Sequence, residues 1–527
     1  MKNASIRGCF LLLTVIAISS RTAMAMDEET ASSINDLKKQ VQSLMEQVSK
    51  LQSQVSSTNQ TAPKTPSATQ NHPNSIPPAS SGAVGDMNEA MRPLMEQPMQ
   101  GTTETAPTTV QQGPGNLPML DVSDKGLIFR SRDNRHTIRL GGLLQLDDRE
   151  FVDSPTSQES KFLVRRARPY ASGYFYDDWN YRFAPEFALS SPNAAAYSTT
   201  IADAIINYKP IEDIQVEVGK YKPPVALEQL ADDAYLSFNE RALSSNLSPA
   251  RDIGVMIHGI TFDEKLSWAA MVGAGARNNN LNTGLDYDTG PDGYFRLFAQ
   301  PFKGEKDFPD FFEGLRLGVG GSISWSSQSS AGTAQLFQNY STDGGNTFFT
   351  FPSNLNVQGE HWRISPQLYY TYGPFSAVGE FIAEKQGVNA AAVGAGGGFT
   401  NYETTAWNVT LNYILTGEDA TLNGVVPKEE VDFKNGGWGA WEMAIRYDGL
   451  AIGDNMFRPT TQGGIGAASD SNASGVNGFS WGLNWYLNRI MRLGVTVEYN
   501  TFTGGGAPDS ISENSELGFL TRLQLKY

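Results

Sequence analysis

From residue 121 onward the sequence repeats short segments in which apolar and polar residues alternate, and this alternation limits the folds available to the chain. A period of two places successive side chains on opposite faces of a β-strand. Beyond Leu120 no stretch approaches the ~20 apolar residues that a membrane-spanning helix needs, so a membrane-spanning form has to be a β-barrel. Segments of about ten residues with one apolar and one polar face are typical of such barrels.

We count about sixteen segments of this kind, and an even number lets an antiparallel barrel close with both ends on one side of the membrane. The segments are residues 138–148, 162–175, 180–190, 200–208, 213–221, 252–259, 264–274, 293–300, 314–325, 361–372, 375–385, 405–415, 438–448, 478–487, 491–500 and 517–527. The sequence therefore predicts an all-β fold, a transmembrane antiparallel β-barrel of about sixteen strands that occupies residues 121–527.

The two faces of the predicted strands differ in chemistry. In the segment 438–448, Trp441 and Ile445 fall on one face, while Glu442 and Arg446 fall on the other. The apolar face is expected to contact lipid, and the charged face is expected to line a water-filled interior. A soluble β-sandwich would also alternate, but it would use strands of about six residues and direct its polar face outward.

Residues 1–25 have the three parts of a secretory signal peptide: a basic start, an apolar run from Cys9 to Ile18, and an Ala-Met-Ala cleavage site ending at Ala25. Cleavage removes Cys9, the one cysteine of the sequence, so no disulfide is expected in the mature chain. The formal net charge of −16 argues against nucleic acid as a partner.

Residues 26–56 are predicted to form a short coiled coil, which implies self-association in the periplasm. Its seam alternates spacings of three and four residues through Ile34, Leu37, Val41, Leu44, Val48, Leu51 and Val55. The alternative is a lone amphipathic helix packed on its own domain. Residues 57–120 are rich in Ser, Thr and Pro and contain no Phe, Tyr or Trp, which predicts a disordered linker.

The connections between segments carry further information. Turns after even-numbered strands are expected to be short and periplasmic, although residues 416–437 are long for such a turn. Residues 222–251 contain apolar side chains that a solvated loop does not need, so we expect them to fold into the lumen and narrow it. The last segment ends at Tyr527 and resembles the terminal strand recognised during outer-membrane assembly, which predicts a Gram-negative outer membrane as the location.

Arginines on the predicted inner face are candidates for an anion pathway, because the guanidinium group is always charged, weakly hydrated and rich in donors. Alternation places six arginines on this face, and the infolded loop adds two: Arg139, Arg166, Arg168, Arg182, Arg316, Arg446, Arg241 and Arg251. Arg165 has the opposite parity and is expected at the interfacial end of its strand. The alternative for each arginine is an ion pair with an inner acid, from the set Glu186, Asp203, Glu442 and Glu498.

Several stretches resemble, in order along the chain, the phosphate-selective porin O and P family from Val122 to Tyr527. They read FLVRRARPYASGYF, IADAIINY, GKYKPPVALE, FNERALSSNLSPARDIGV, YILTGE, GGWGAWEMAIRYDGL and GLNWYLN. The resemblance implies a sixteen-stranded, homotrimeric porin that passes phosphate or related small anions along a cation-lined path narrowed by its third loop.

Lys220 and Lys222 match the GK-x-K element of this family and are expected near the constriction, beside Asp203. Their parity is that of lipid-facing residues, so a bulge or strand end must turn them inward.

Other functions stay open on the sequence alone. A weakly selective porin for other small solutes is one, because acids outnumber bases from Asp121 to Ile260. A tether between envelope layers is another. An enzyme housed in a barrel is a third, since Ser480 and His258 share inner-face parity, but the G-x-S-x-G match around Ser480 opens a strand rather than a nucleophile elbow. The four histidines are scattered, so we predict no catalytic site, metal or cofactor.

Overall fold

The computed structural model describes residues 119–123, 126–152, 160–188, 197, 199–275, 290–326, 337–352, 355–389, 399–468, 472–504 and 515–527. The predicted signal peptide, the predicted coiled coil and all but the last two residues of the predicted linker lie outside these ranges. Within the described ranges, no helix has the length and apolar character needed to cross a membrane.

Most described residues belong to twenty β-strands, eighteen of which form one antiparallel sheet. The strands are β1 Met119–Ser123, β2 Gly126–Arg130, β3 Thr137–Val152, β4 Lys161–Phe175, β5 Trp179–Glu186, β6 Thr200–Ile211, β7 Ile214–Tyr221, β8 Asp252–Thr261, β9 Leu266–Gly273, β10 Asp292–Ala299, β11 Leu315–Ser326, β12 Tyr340–Ser341, β13 Thr347–Phe349, β14 Asn356–Tyr372, β15 Phe375–Asn389, β16 Phe399–Ile414, β17 Ala440–Ile452, β18 Gly475–Tyr486, β19 Met491–Thr503 and β20 Ser515–Lys526. Sixteen of them, β3 to β11 and β14 to β20, form a closed barrel because β20 pairs with β3. Each predicted segment overlaps one barrel strand, so the predicted fold is confirmed.

The barrel wall is apolar outside and charged inside, as the alternation predicts. On β3, Leu140 and Leu144 are exposed on the outer face, whereas Gln145 and Asp147 are fully buried on the inner face. The same division recurs on β17, where outward side chains alternate with buried inward ones. Exposed apolar side chains around the whole circumference are what a lipid environment requires.

The prediction for Arg165 was wrong. The pairing of β3 with β4 shifts register between Gln145 and Leu146, which lie opposite Arg166 and Val164, so Arg165 is an extra residue in a β-bulge. A bulge breaks the period of two, and both Arg165 and Arg166 are buried on the inner side. Arg165 therefore lies in the interior and not at the interfacial end of its strand.

Short and long connections alternate around the barrel, as predicted. Residues 176–178, 212–213, 373–374 and 487–490 form short turns at one end. The long segment 415–439, between β16 and β17, lies at that same end and remains an exception to the length rule. The motif around Ser480 lies within strand β18, so the prediction that it belongs to a strand is confirmed.

A hairpin that the sequence did not reveal precedes the barrel. Strand β1 pairs with β2, and β2 pairs with residues 137–140 at the start of β3. Strand β20 pairs with the rest of that edge, from Leu143 to Val152, and the backbone of Tyr527 pairs with Gly142 between the two. Strand β1 begins at Met119, so the last two residues of the predicted linker belong to this hairpin.

The connection between β7 and β8, residues 222–251, folds into the barrel as predicted, and we call it the constriction loop. It contains a one-turn α-helix, α1 Leu227–Leu230, and a 3-10 helix, Leu243–Leu247. Other short 3-10 helices are Asp310–Phe312, Asp454–Met456 and Thr460–Gln462. The loop reaches two separate parts of the wall, because the Leu227 amide donates to Glu380 on β15 and the Asn239 side chain donates to the Leu520 carbonyl on β20.

A second segment also folds inward, which the sequence did not predict. Residues 337–352 form the small hairpin of β12 and β13. The Asn246 side-chain amide donates to the Ser341 carbonyl over 2.9 Å, joining this hairpin to the constriction loop. Phe349 and Leu243 belong to one apolar cluster with residues of β15, β16 and β17. Two infolded segments therefore support each other within the described lumen.

Candidate solute pathway

Asp233 on the constriction loop lies among three arginines. Arg168 on β4 donates to it over 2.7 Å, and Arg166 on the same strand lies 3.2 Å from it. Arg241, from the loop itself, forms the third ion pair. Burial opposes ionisation of this carboxyl, but the three guanidinium charges outweigh burial and hold the pKa of Asp233 well below its usual range.

Glu240 lies in a second group of three arginines, all from the barrel wall. The contacts are to Arg149 at 2.5 Å, Arg165 at 2.6 Å and Arg522 at 3.1 Å. Burial opposes the charged form here too, yet the neighbouring arginines keep the pKa of Glu240 well below its usual range. The inward turn of Arg165 at the bulge is what completes this group.

The end of the constriction loop is fixed to the wall through Asp203. Arg251 donates to the Asp203 carboxylate over 2.8 Å, and Arg182 on β5 lies 3.4 Å from it. The Arg182 guanidinium also lies 4.5 Å from the ring centre of Tyr170, within cation–π range. Arg139 approaches the same ring at 5.7 Å and is half-buried.

The two lysines of the GK-x-K element both lie inside. Gly219 has a φ of 141°, in the left-handed region, immediately before Lys220, which is buried near Asp203 and Arg251. Lys222 lies just past the end of β7, and its Nζ donates to the Ala231 carbonyl over 2.8 Å. Burial lowers the pKa of Lys222 well below its usual value.

Arg446 and Arg316 contact other parts of the lumen, although Arg446 also donates to the backbone carbonyl of Glu240 over 3.2 Å. Arg446 on β17 pairs with Asp343 of the second infolded hairpin and lies 3.5 Å from Asp448. Arg316, near the start of β11, donates to Gln300 over 3.2 Å and lies 5.2 Å from the ring centre of Tyr369. These arginines belong to the lumen, but the structure does not bring them together with Arg166 and Arg168.

The four acids named as possible partners have different roles. Glu186 lies 2.8 Å from Arg168, and Asp203 pairs as described above. Glu442 instead accepts hydrogen bonds from Ser237 on the constriction loop and from Tyr486 on the neighbouring strand β18. Glu498 is buried, with no hydrogen-bond partner among the described residues. Among these four acids, the predicted ion pairing with an inner-face arginine thus holds for Glu186 and Asp203.

Sequence reasoning missed several inner-face charges. The omitted cations are Arg149, Arg165, Arg296, Arg363, Arg492 and Arg522, all buried. Alternation within the predicted segments 491–500 and 517–527 could have added Arg492 and Arg522 to the candidate arginines. Extending the first predicted segment, 138–148, by one residue could have added Arg149. The omitted acids Asp233 and Glu240 lie on a loop without a periodic pattern, so the sequence held no signal for their positions.

A small cavity of about 60 Å³ lies where the constriction loop approaches the long segment 415–439. Its lining includes Tyr235 and Phe238 from the loop, Leu422 from the segment, and Glu442 from the wall. Gly424 packs closely on the Tyr235 ring, where a Cβ atom would lie 2.6 Å from a ring carbon. The exceptional length of segment 415–439 is therefore accounted for by its contact with the loop.

A closed sixteen-strand barrel with an apolar exterior, a charged interior and a loop folded across its lumen is the architecture of an outer-membrane porin. The family described as "Phosphate-selective porin O and P" matches residues 138–527. The chain belongs to this family.

Comparison with known proteins gives one relative in sequence and several solved structures of limited similarity. Porin O of Pseudomonas aeruginosa is 24% identical over 424 residues, which cover 76% of this chain and 90% of that protein. The outer membrane channel DcaP of Acinetobacter baumannii is 10% identical, with a TM-score of 0.46, over 76% of this chain and 99% of that one. An anion-selective porin from Comamonas acidovorans is 9% identical, with a TM-score of 0.44, over 74% and 100% of the two chains.

Proposed function

We propose that small anions, phosphate or related oxyanions, diffuse passively through this porin along its inner-face arginines. The observation that carries the proposal is the charge balance around the constriction loop. Within the ion-paired groups of Asp233, Glu240 and Asp203, eight arginines share five carboxylates, which leaves three positive charges in excess in these groups: Arg149, Arg165, Arg166, Arg168, Arg182, Arg241, Arg251 and Arg522 against Asp147, Glu186, Asp203, Asp233 and Glu240.

The arginines suit this task for a physical reason. A guanidinium group presents several donors in a fixed fork and gives up its own hydration easily, so it can replace part of the water shell of an oxyanion. Several sites of moderate strength allow an ion to enter and leave, whereas one very strong site would retain it. The family name and the excess of positive charge both support phosphate-like solutes.

A general porin with weak anion preference is the second candidate, and one observation favours it. In the described lumen, the arginines around Asp233 and Glu240 already have carboxylate partners, which reduces the net field that a passing ion meets. The proposal includes no catalysis, because Ser480 lies within a regular strand.

Phosphate block of chloride current tests the proposed function. We expect Arg166→Ala and Arg168→Ala each to weaken the block by about tenfold, since each variant removes one donor fork beside Asp233. The measurement is chloride current through purified protein in planar bilayers at increasing phosphate concentration. Reversal potentials in a salt gradient give the anion preference in the same experiment.

The matched control for these variants is Arg135→Ala, because Arg135 pairs with Asp177 on the exposed surface outside the lumen. The control should leave the block unchanged. Wild-type protein without conductance would contradict the proposal of a solute channel, and a block unaltered by both inner-face variants would remove Arg166 and Arg168 from the pathway.

We infer, in addition, that the exported chain assembles as a homotrimer in the outer membrane after cleavage near residue 25, with residues 26–56 in the periplasm. The heptad seam in that segment and the family resemblance support this assembly. Sedimentation of the purified full chain in detergent should give about three times the protomer mass. A protomer mass under the same conditions would contradict the inference.

A further inference from the structure

Two carboxylates of the constriction loop lie where the wall arginines converge. Asp233 and Glu240 are buried, and each contacts three arginines. Five of the six arginines belong to the barrel wall, on β3, β4 and β20. The two acids, in contrast, belong to a segment that lies within the lumen. Their position is the one that a dissolved anion entering this cluster of arginines would take.

From this arrangement we infer that Asp233 and Glu240 determine the solute specificity of the channel by acting as internal counter-ions. A permeating oxyanion must exchange with a loop carboxylate for the same guanidinium donors. The inference rests on the proposed anion function, and it adds that the loop carboxylates limit the affinity of the channel for a permeating anion. The class of solute it favours is one that competes well with a carboxylate for guanidinium donors, as phosphate oxygens do.

Competition between a loop carboxylate and a permeating anion for the same guanidinium donors has a clear physical consequence. An arginine cluster without counter-ions would hold a multivalent anion tightly and slow its release. A carboxylate that already occupies the donors lowers the net affinity, and it returns to the same donors when the ion leaves. Both loop acids have a pKa well below the usual range, so they keep their charge at neutral pH.

The arrangement also explains why most of these arginines lie on the barrel wall while Asp233 and Glu240 lie on the loop. If the acids came from the wall alone, each arginine would be paired only with a neighbour on the same rigid sheet, as Asp147 pairs with Arg149 and Arg522. An acid on a loop can move away from the wall without breaking the barrel. Arg149, Arg168 and Arg522 thus each have a wall acid and a loop acid as partners, and in this inference only the loop acid exchanges with the solute.

The test uses amide variants of the full chain in planar bilayers with inorganic phosphate as the probe. Asp233→Asn and Glu240→Gln preserve side-chain volume and remove one negative charge each. We expect each to tighten phosphate block of chloride current by about tenfold and to shift the reversal potential toward anion selectivity. Asp233→Glu, which keeps the charge, should retain the wild-type reversal potential.

The matched control is Asp232→Asn, in the same loop and of the same charge change. Asp232 pairs with Lys526 at 3.0 Å and contacts none of the six arginines in the described structure. A shift in Asp233→Asn or Glu240→Gln no larger than in this control would overturn the inference. If one variant fails to fold, the other reports independently, because the two acids lie in different arginine groups.

The outcome also separates this inference from the proposed function. Wild-type protein that shows no phosphate block, or a block independent of Arg166 and Arg168, contradicts the anion function itself. Wild-type protein with an arginine-dependent block that Asp233→Asn and Glu240→Gln leave unchanged contradicts only the role of the loop acids.

Discussion

Asp147→Asn is expected to lower the free energy of unfolding of the barrel by about 3 kcal/mol or more, the range found when one partner of a buried ion pair is removed. Asp147 accepts from Arg522 over 2.6 Å and from Arg149 over 2.7 Å, and all three side chains are fully buried. Two buried guanidinium groups would lose one of the two carboxylates that they share, the other being Glu240, and an amide oxygen cannot replace the lost charge.

The position of this cluster in the fold increases the expected effect. Asp147 lies directly opposite Arg522 in the pairing of β3 with β20, the contact that closes the barrel. The ion pair therefore joins the first and last barrel strands, which are far apart in sequence. Loss of the pair should favour opening at this seam more than elsewhere around the wall.

Urea titration of the refolded barrel in detergent, followed by the gel-mobility difference between folded and unfolded forms, measures the effect. Asp148→Asn is the matched control, because Asp148 is the next residue on β3 and is exposed on the outer face. Its unfolding midpoint should stay near that of the wild type. Equal midpoints for Asp147→Asn and Asp148→Asn would show that the seam does not depend on this charge.

The sequence predicted the wall well because the membrane imposes a strict rule on it. Outward side chains such as Leu144 must be apolar, and inward ones such as Asp147 can be charged. Apolar and polar residues therefore alternate in the sequence of each strand. That rule applies only where the strand is regular. At Arg165 one extra residue reversed the face, and no local sequence signal marks the bulge.

The interior was less predictable because its contacts join residues that are distant in sequence. The length and apolar content of residues 222–251 predicted an infolded loop, but not which of its acids meets which arginine. Asp233 and Glu240 lie seven residues apart and contact two different arginine groups, with Arg522 almost three hundred residues away. Such pairings depend on the path of the loop across the lumen, which periodicity does not encode.

Replacing residues 223–250 of the constriction loop by a short Gly/Ser turn is expected to raise single-channel conductance by about threefold or more, because a sixteen-strand barrel without an infolded loop leaves a wide aqueous channel. Tyr221 lies directly opposite Asp252 in the pairing of β7 with β8. A tight turn can therefore join the two strands without moving the wall. The five wall arginines around Asp233 and Glu240 would also lose these carboxylates, while Arg241 would be removed with the loop, so the reversal potential should move toward anions.

Single-channel recordings of folded protein in planar bilayers measure this change. A comparable shortening of the β10–β11 connection, residues 302–312, is the control, because that turn is largely exposed and lies outside the lumen. It should leave conductance unchanged. The second infolded hairpin, residues 337–352, is retained in both variants, and it limits the gain through its packing on β15, β16 and β17. Conductance of the loop variant equal to that of the control would mean that the constriction loop does not set the width of the solute path.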